Sequence, residues 1–154
     1  MPSLGFPVVF NTDYSFYASG LGLYLSYHTA SHYAILDSSP EGIWFAWKQS
    51  MEPGQAITTG AFLYVGVEIF AIDHWLYWPG SGDVYWSDVT GNNYEMQLFT
   101  DLSQTQGVPI NVGDAIYFFF PQAGGYLAQD PNDKEYLTVG DSSSALSWTI
   151  GTIS

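Results

Sequence analysis

The sequence predicts an all-β domain made of three four-stranded repeats of about 51 residues, related by a pseudo-threefold axis. Three observations point there. Short aromatic or β-branched runs bounded by turn residues recur along the chain, at 14–17, 62–70, 94–99 and 116–120. No segment carries a capped i, i+3, i+4, i+7 apolar period, whereas 16 Gly and 8 Pro punctuate the whole length. An aromatic–leucine pair also returns at a fixed interval: Tyr24-Leu25, Trp75-Leu76 and Tyr126-Leu127 lie 51 and 51 residues apart.

The elements follow one order in each repeat. A first strand (14–18, 65–70, 116–120) turns back into the strand that carries the aromatic–leucine pair. A polar turn follows, at 28–32, 79–83 and 130–134. A third strand (33–36, 84–86, 136–139) then ends at Asp37, Asp88 or Asp141, spaced 51 and 53. Seven residues beyond the first and third aspartates stands a tryptophan, Trp44 and Trp148, expected to close its lobe in the core; the middle copy has Glu95 there, between Tyr94 and Met96. The expected boundaries are 1–50, 51–101 and 102–154 within a single domain, 1–154. Leu25, Leu76, Leu127, Ile35, Val84 and Leu137 read as barrel layers. One four-stranded unit cannot bury its own apolar face. Three of them around an axis can close a six-stranded barrel capped by three hairpins, and closure removes exposed strand edges. That arrangement is a β-trefoil; a β-sandwich is the alternative.

Composition narrows the function. Fifteen acidic residues face two basic ones, Lys48 and Lys134, for a net charge of −13. Such a chain repels phosphate backbones and anionic membranes, so neither nucleic acid binding nor membrane insertion is expected. No cysteine is present, which excludes disulfides and thiolate zinc sites. The N-terminal residues lack the charged and small-residue features of a signal peptide, so a soluble cytoplasmic or non-classically secreted protein is expected. Aromatics make up 18% of the chain and charged residues 11%. Six Trp, twelve Tyr and ten Phe are too many for one small core, so some rings must face outward.

Catalytic signatures are missing. There is no Gly-x-Ser-x-Gly, Walker loop or Gly-x-Gly-x-x-Gly. The glycines of Pro79-Gly80-Ser81-Gly82-Asp83 read as a hairpin turn needing positive φ. His28 and His32 read as loop histidines, and Asp73-His74 has no visible nucleophile partner. Asp130-Pro131-Asn132-Asp133 offers oxygens to a hard cation but reads better as an Asx turn. No enzyme activity, metal or cofactor is expected. Trp75, Trp78 and Trp86 crowd the second repeat beside Asp73, His74, Asp88, Asn92 and Asn93. Sugars lay their CH faces on aromatic rings and give their hydroxyls to carboxylates, amides and imidazoles, so these eight residues are the candidate ligand site. Trp47 is a candidate second exposed ring.

The threefold spacing and the closing tryptophans resemble the β-trefoil superfamily, in particular small cytoplasmic β-trefoil lectins and protease inhibitors of fungi. Ricin-B-type members carry Gln-x-Trp near the end of each repeat. Here the matching stretches are Gly42-Ile43-Trp44, Tyr94-Glu95-Met96 and Leu146-Ser147-Trp148; the tryptophan stands twice and the glutamine never, so that sugar site is not carried over. The resemblance implies a lectin, with glycans or glycoproteins as partners and a homodimer compatible with multivalent binding. Its alternative is a protease inhibitor that presents a loop, with Lys134 as the basic residue or Asn92-Asn93 facing an asparagine-specific protease.

Overall fold

The computed structural model describes residues 5–46, 54–89 and 94–153. Its twelve strands are β1 (Tyr14–Ala18), β2 (Leu23–Tyr27), β3 (Ala34–Asp37), β4 (Ile43–Ala46), β5 (Tyr64–Ile69), β6 (Ile72–Tyr77), β7 (Tyr85–Ser87), β8 (Gln97–Phe99), β9 (Ala115–Phe120), β10 (Gly125–Gln129), β11 (Leu137–Gly140) and β12 (Trp148–Thr152). All named pairings are antiparallel, and the described residues contain no α-helix. The first pair of strands in each third forms a hairpin, and the second strand pairs with the third: β1–β2–β3, β5–β6–β7, β9–β10–β11.

The remaining pairings link the thirds. They run from β8 through β9, β12, β1 and β4 to β5. Leu63, just before β5, then bridges Met96, just before β8, with hydrogen bonds in both directions at 2.9 and 2.7 Å. Phe16, Phe45, Val65, Leu98, Phe118 and Ile150 all point inward from these six strands and are buried. Phe16 meets Phe45 and Phe118 edge-on at 5.5 and 5.3 Å, and Phe118 meets Trp148 at 6.1 Å, the geometry that aromatic quadrupoles favour.

Both ends of this core are closed by segments from all three thirds. At one end the third strands meet: Ala34 N–H donates to the Val84 carbonyl, Val84 N–H to Leu137, and Leu36 N–H to Glu135. At the other, the stretches before β1, β5 and β9 exchange hydrogen bonds, Ile57 N–H to Val8, Val8 N–H to Ile110 and Ile110 N–H to Ile57. Val8, Ile57 and Ile110 are buried there, a layer that the sequence reading did not anticipate.

Leu25, Leu76 and Leu127 occupy matching places on β2, β6 and β10 and are all buried; Ile35, Val84 and Leu137 are buried as well. Trp148 lies in the core as expected. Trp44 does not: on β4 the inward residues are Ile43 and Phe45, so Trp44 faces outward and is half-buried. The counterparts of Trp148 along the closing strands are therefore Ile43 and Met96, one register step from the sequence alignment. A shift of one residue moves a strand side chain to the opposite face.

Candidate functional site

Strand β6 alternates cleanly. His74 and Leu76 point into the protein, and Asp73, Trp75 and Tyr77 line its outer face. Trp75 sits directly across from Gly66 on β5, and Gly66 faces Trp44 on β4. A side chain at Gly66 would put its Cβ 2.8 Å from the Trp75 ring and 2.9 Å from the Trp44 ring, so the glycine is the floor on which both indoles rest. The two indoles meet edge-on at 6.2 Å, and Tyr64 approaches Trp75 at 5.9 Å.

Further along the same face Tyr77 stacks on Tyr94, with centroids 4.3 Å apart and planes at 20°. The Tyr94 hydroxyl donates to Ser87 Oγ at 3.0 Å. Tyr77 also meets Tyr85 edge-on at 5.5 Å, Tyr85 meets Tyr33 at 6.4 Å, and Tyr33 meets Tyr136 at 5.5 Å. Burial, reinforced by Tyr94, Tyr77 and Tyr33, pushes the Tyr85 phenol up from its ordinary value. Beyond β6 a cavity of about 200 Å³ is lined by Tyr77, Trp78, Pro79, Gly80 and Gln122. It is smaller than the range typical of drug-sized ligands and suits a single ring with part of its substituents.

Trp78 is held by its turn. Its Nε1–H donates to the Gly82 carbonyl at 3.0 Å, and the Thr138 hydroxyl donates to the same oxygen at 2.7 Å. Gly80 and Gly82 have φ of 106° and 73°, as the glycine-rich turn predicts. Next to Gly82, the Asp83 carboxyl hydrogen-bonds Asp130 and is pushed up to about 6, by burial first and then by Asp130 and Asp133. Asp130 moves below its ordinary value because it accepts that bond and the Asn132 N–H. Asp83 Oδ1 is buried with no hydrogen-bond partner among the described residues. The Asp130 turn is thus an Asx turn, with Asn132 N–H on Asp130 Oδ1 at 2.8 Å. Asp141 likewise accepts the Ser143 and Ser144 N–H groups, a strand-ending aspartate bonded to the local backbone.

Of the eight sequence-derived site residues, the structure brings Trp75 and Trp78 to the aromatic face and its cavity. Asp73 is exposed on the same face but toward the β5–β6 turn, opposite Glu68. Two assignments are corrected. Trp86 is 1% exposed, packs across from Leu76 and donates Nε1–H to the Ser26 carbonyl at 3.1 Å, so it belongs to the core. His74 is 4% exposed, its Nδ1 lies 2.8 Å from the Ile72 carbonyl and its ring meets His32 edge-on at 4.8 Å; it faces away from Trp75. Asp88 is exposed past the end of β7. Asn92, Asn93, Trp47 and Lys48 lie outside the described residues. Lys134 is exposed in the β10–β11 turn, where Gln129 Nε2–H holds its carbonyl at 2.9 Å. The sequence reading missed Tyr77, Tyr94 and Gln122. Tyr33, Tyr85 and Tyr136, spaced 52 and 51 residues, carried a repeat signal that could have flagged the tyrosine chain.

No protein-family model matches the chain, and no curated protein sequence is significantly similar to it. Solved structures do resemble it. The receptor-binding domain of botulinum neurotoxin C/D mosaic serotype superposes with a TM-score of 0.70 at 12% identity, over 96% of this chain and 43% of that one. The ligand-binding domain of botulinum neurotoxin serotype D, solved in complex with N-acetylneuraminic acid, gives 0.66 at 12% identity, over 96% and 42%. A Caenorhabditis elegans protein of unknown function gives 0.66 at 13% identity, over 98% and 99%. The chain therefore spans less than half the length of these neurotoxin chains. At such identities the likeness is one of fold.

Proposed function

We propose that this chain is a β-trefoil carbohydrate-binding protein without catalytic turnover. The trefoil reading is supported by three sets of four strands, by matching burial of Leu25, Leu76 and Leu127, and by the three-way hydrogen bonding at both ends of the core. One observation carries the binding role: the outer face of β6 presents Trp75 and Tyr77 in line with a cavity walled by Trp78. The rings offer flat apolar surface to the CH groups of a sugar. Gln122 and the Tyr77 hydroxyl offer hydrogen bonds to its hydroxyls, and the backbone of the Pro79–Gly80 turn lies beside them. A neighbouring fold solved with N-acetylneuraminic acid supports a glycan as the ligand class. Titration calorimetry with simple neutral and sialylated sugars, repeated on Trp78→Ala, tests this. Binding of at least one sugar that weakens in the variant is the expected result; no heat from any sugar, or equal binding by both proteins, overturns it.

A further inference from the structure

Three locally unfavourable features meet at one hairpin, the turn between β5 and β6. Its two central residues, Phe70 and Ala71, have φ of 51° and 65°. A two-residue hairpin of this kind normally recruits Asn-Gly, because a side chain with Cβ is strained at positive φ. Phe70 is also 76% exposed and Ile72 56%, the first of these the largest value among the exposed large apolar residues described. Just behind the tip Glu68 stands directly opposite Asp73, both exposed, and like charges in that position repel. A hairpin serving only to connect two strands would improve by losing each of these features. Their coincidence marks a place where local stability gives way to recognition.

We propose that the Phe70–Ile72 tip docks into an apolar cleft rimmed by lysine or arginine on a partner protein. The bulky ring and the isoleucine supply the apolar anchor, and Glu68 and Asp73 form an acidic collar that meets the basic rim. Charge argues against two rival occupants. An anionic lipid surface would be repelled by the collar and by a net charge of −13. A second copy of this chain, with two lysines in all, has no basic rim to offer. The tip is independent of the sugar-binding reading.

The test uses a random peptide display library selected against the full chain. Enriched peptides should carry Lys or Arg beside a bulky apolar residue. Their affinity, read by fluorescence anisotropy, should fall about tenfold in Phe70→Ser, severalfold in Glu68→Gln/Asp73→Asn, and with added salt. Phe70→Asn/Ala71→Gly should raise the melting temperature while abolishing binding, a combination that a merely structural turn cannot produce. Enrichment of uncharged peptides, affinities unchanged in Phe70→Ser, or no enrichment over scrambled peptides overturns the proposal. So does Phe70-dependent binding to phosphatidylcholine vesicles, which would assign the tip to lipid.

Discussion

Asp83→Asn should stabilise the protein at neutral pH and do nothing in acid. In the folded chain Asp83 releases its proton near pH 6; its ordinary value is 3.8. Between these values the folded state holds a proton that the unfolded state has released, so raising the pH through this window weakens folding, and the full penalty is in place above about pH 6. Two units at about 1.4 kcal/mol each set a ceiling near 3 kcal/mol. Asp83 is only partly shielded from water, and solvent screening reduces the penalty to about 1 kcal/mol. The lowered Asp130 acts with the opposite sign in a different window: its stabilisation is present above pH 3.8 and lost as the pH falls below it. An asparagine is neutral throughout and its amide still donates to Asp130. Urea unfolding followed by tryptophan fluorescence should therefore show Asp83→Asn more stable by about 1 kcal/mol near pH 8, with the gain vanishing near pH 4. A pH-independent difference, or a variant less stable at pH 8, would refute the shared-proton account.

Gly66→Ala should destabilise the fold by about 1–3 kcal/mol, because the new Cβ would lie 2.8–2.9 Å from two indoles; the denaturant midpoint reads this, and near-ultraviolet circular dichroism should change with it. Trp86→Ala should cost about 3–5 kcal/mol as a core truncation, while Trp86→Phe leaves sugar affinity intact; a folded Trp86→Phe protein that no longer binds sugar would return this residue to the site. Trp78→Ala should lower sugar affinity about tenfold, seen by calorimetry, at a stability cost of only about 1–2 kcal/mol because the ring is half-exposed.

Much of the architecture was legible because it is written in local periodicity. The strands around Tyr14, the aromatic–leucine pairs and the glycine turn at 79–83 depend on neighbours a few residues away, and each stands where the spacing placed it. Trp44 was misplaced because the first inward residue of β4 comes six residues after Asp37, whereas that of β12 comes seven after Asp141. One residue is enough to exchange core and surface in a strand. Trp86 was misread for a different reason: its burial depends on Leu76 across the sheet and on the Ser26 carbonyl sixty positions away. The candidate site was half legible. Trp75 and Trp78 declare themselves by chemistry, but the partners that shape their surface, Gly66, Trp44, Tyr94 and Gln122, come from other strands and from turns distant in sequence.

The amino-acid order alone determined that the chain is all-β, acidic and cysteine-free, with an aromatic–leucine pair returning every 51 residues and more aromatic rings than a core can hold. Only the tertiary structure decided which rings those are. Alternation along a strand says that two faces exist, whereas the choice of inner face is made by packing against a core that strands from the whole chain share. The outward face of β6 follows from the burial of His74 and Leu76 on its other side, and the strained tip beside it is the local two-residue turn that joins β5 to β6.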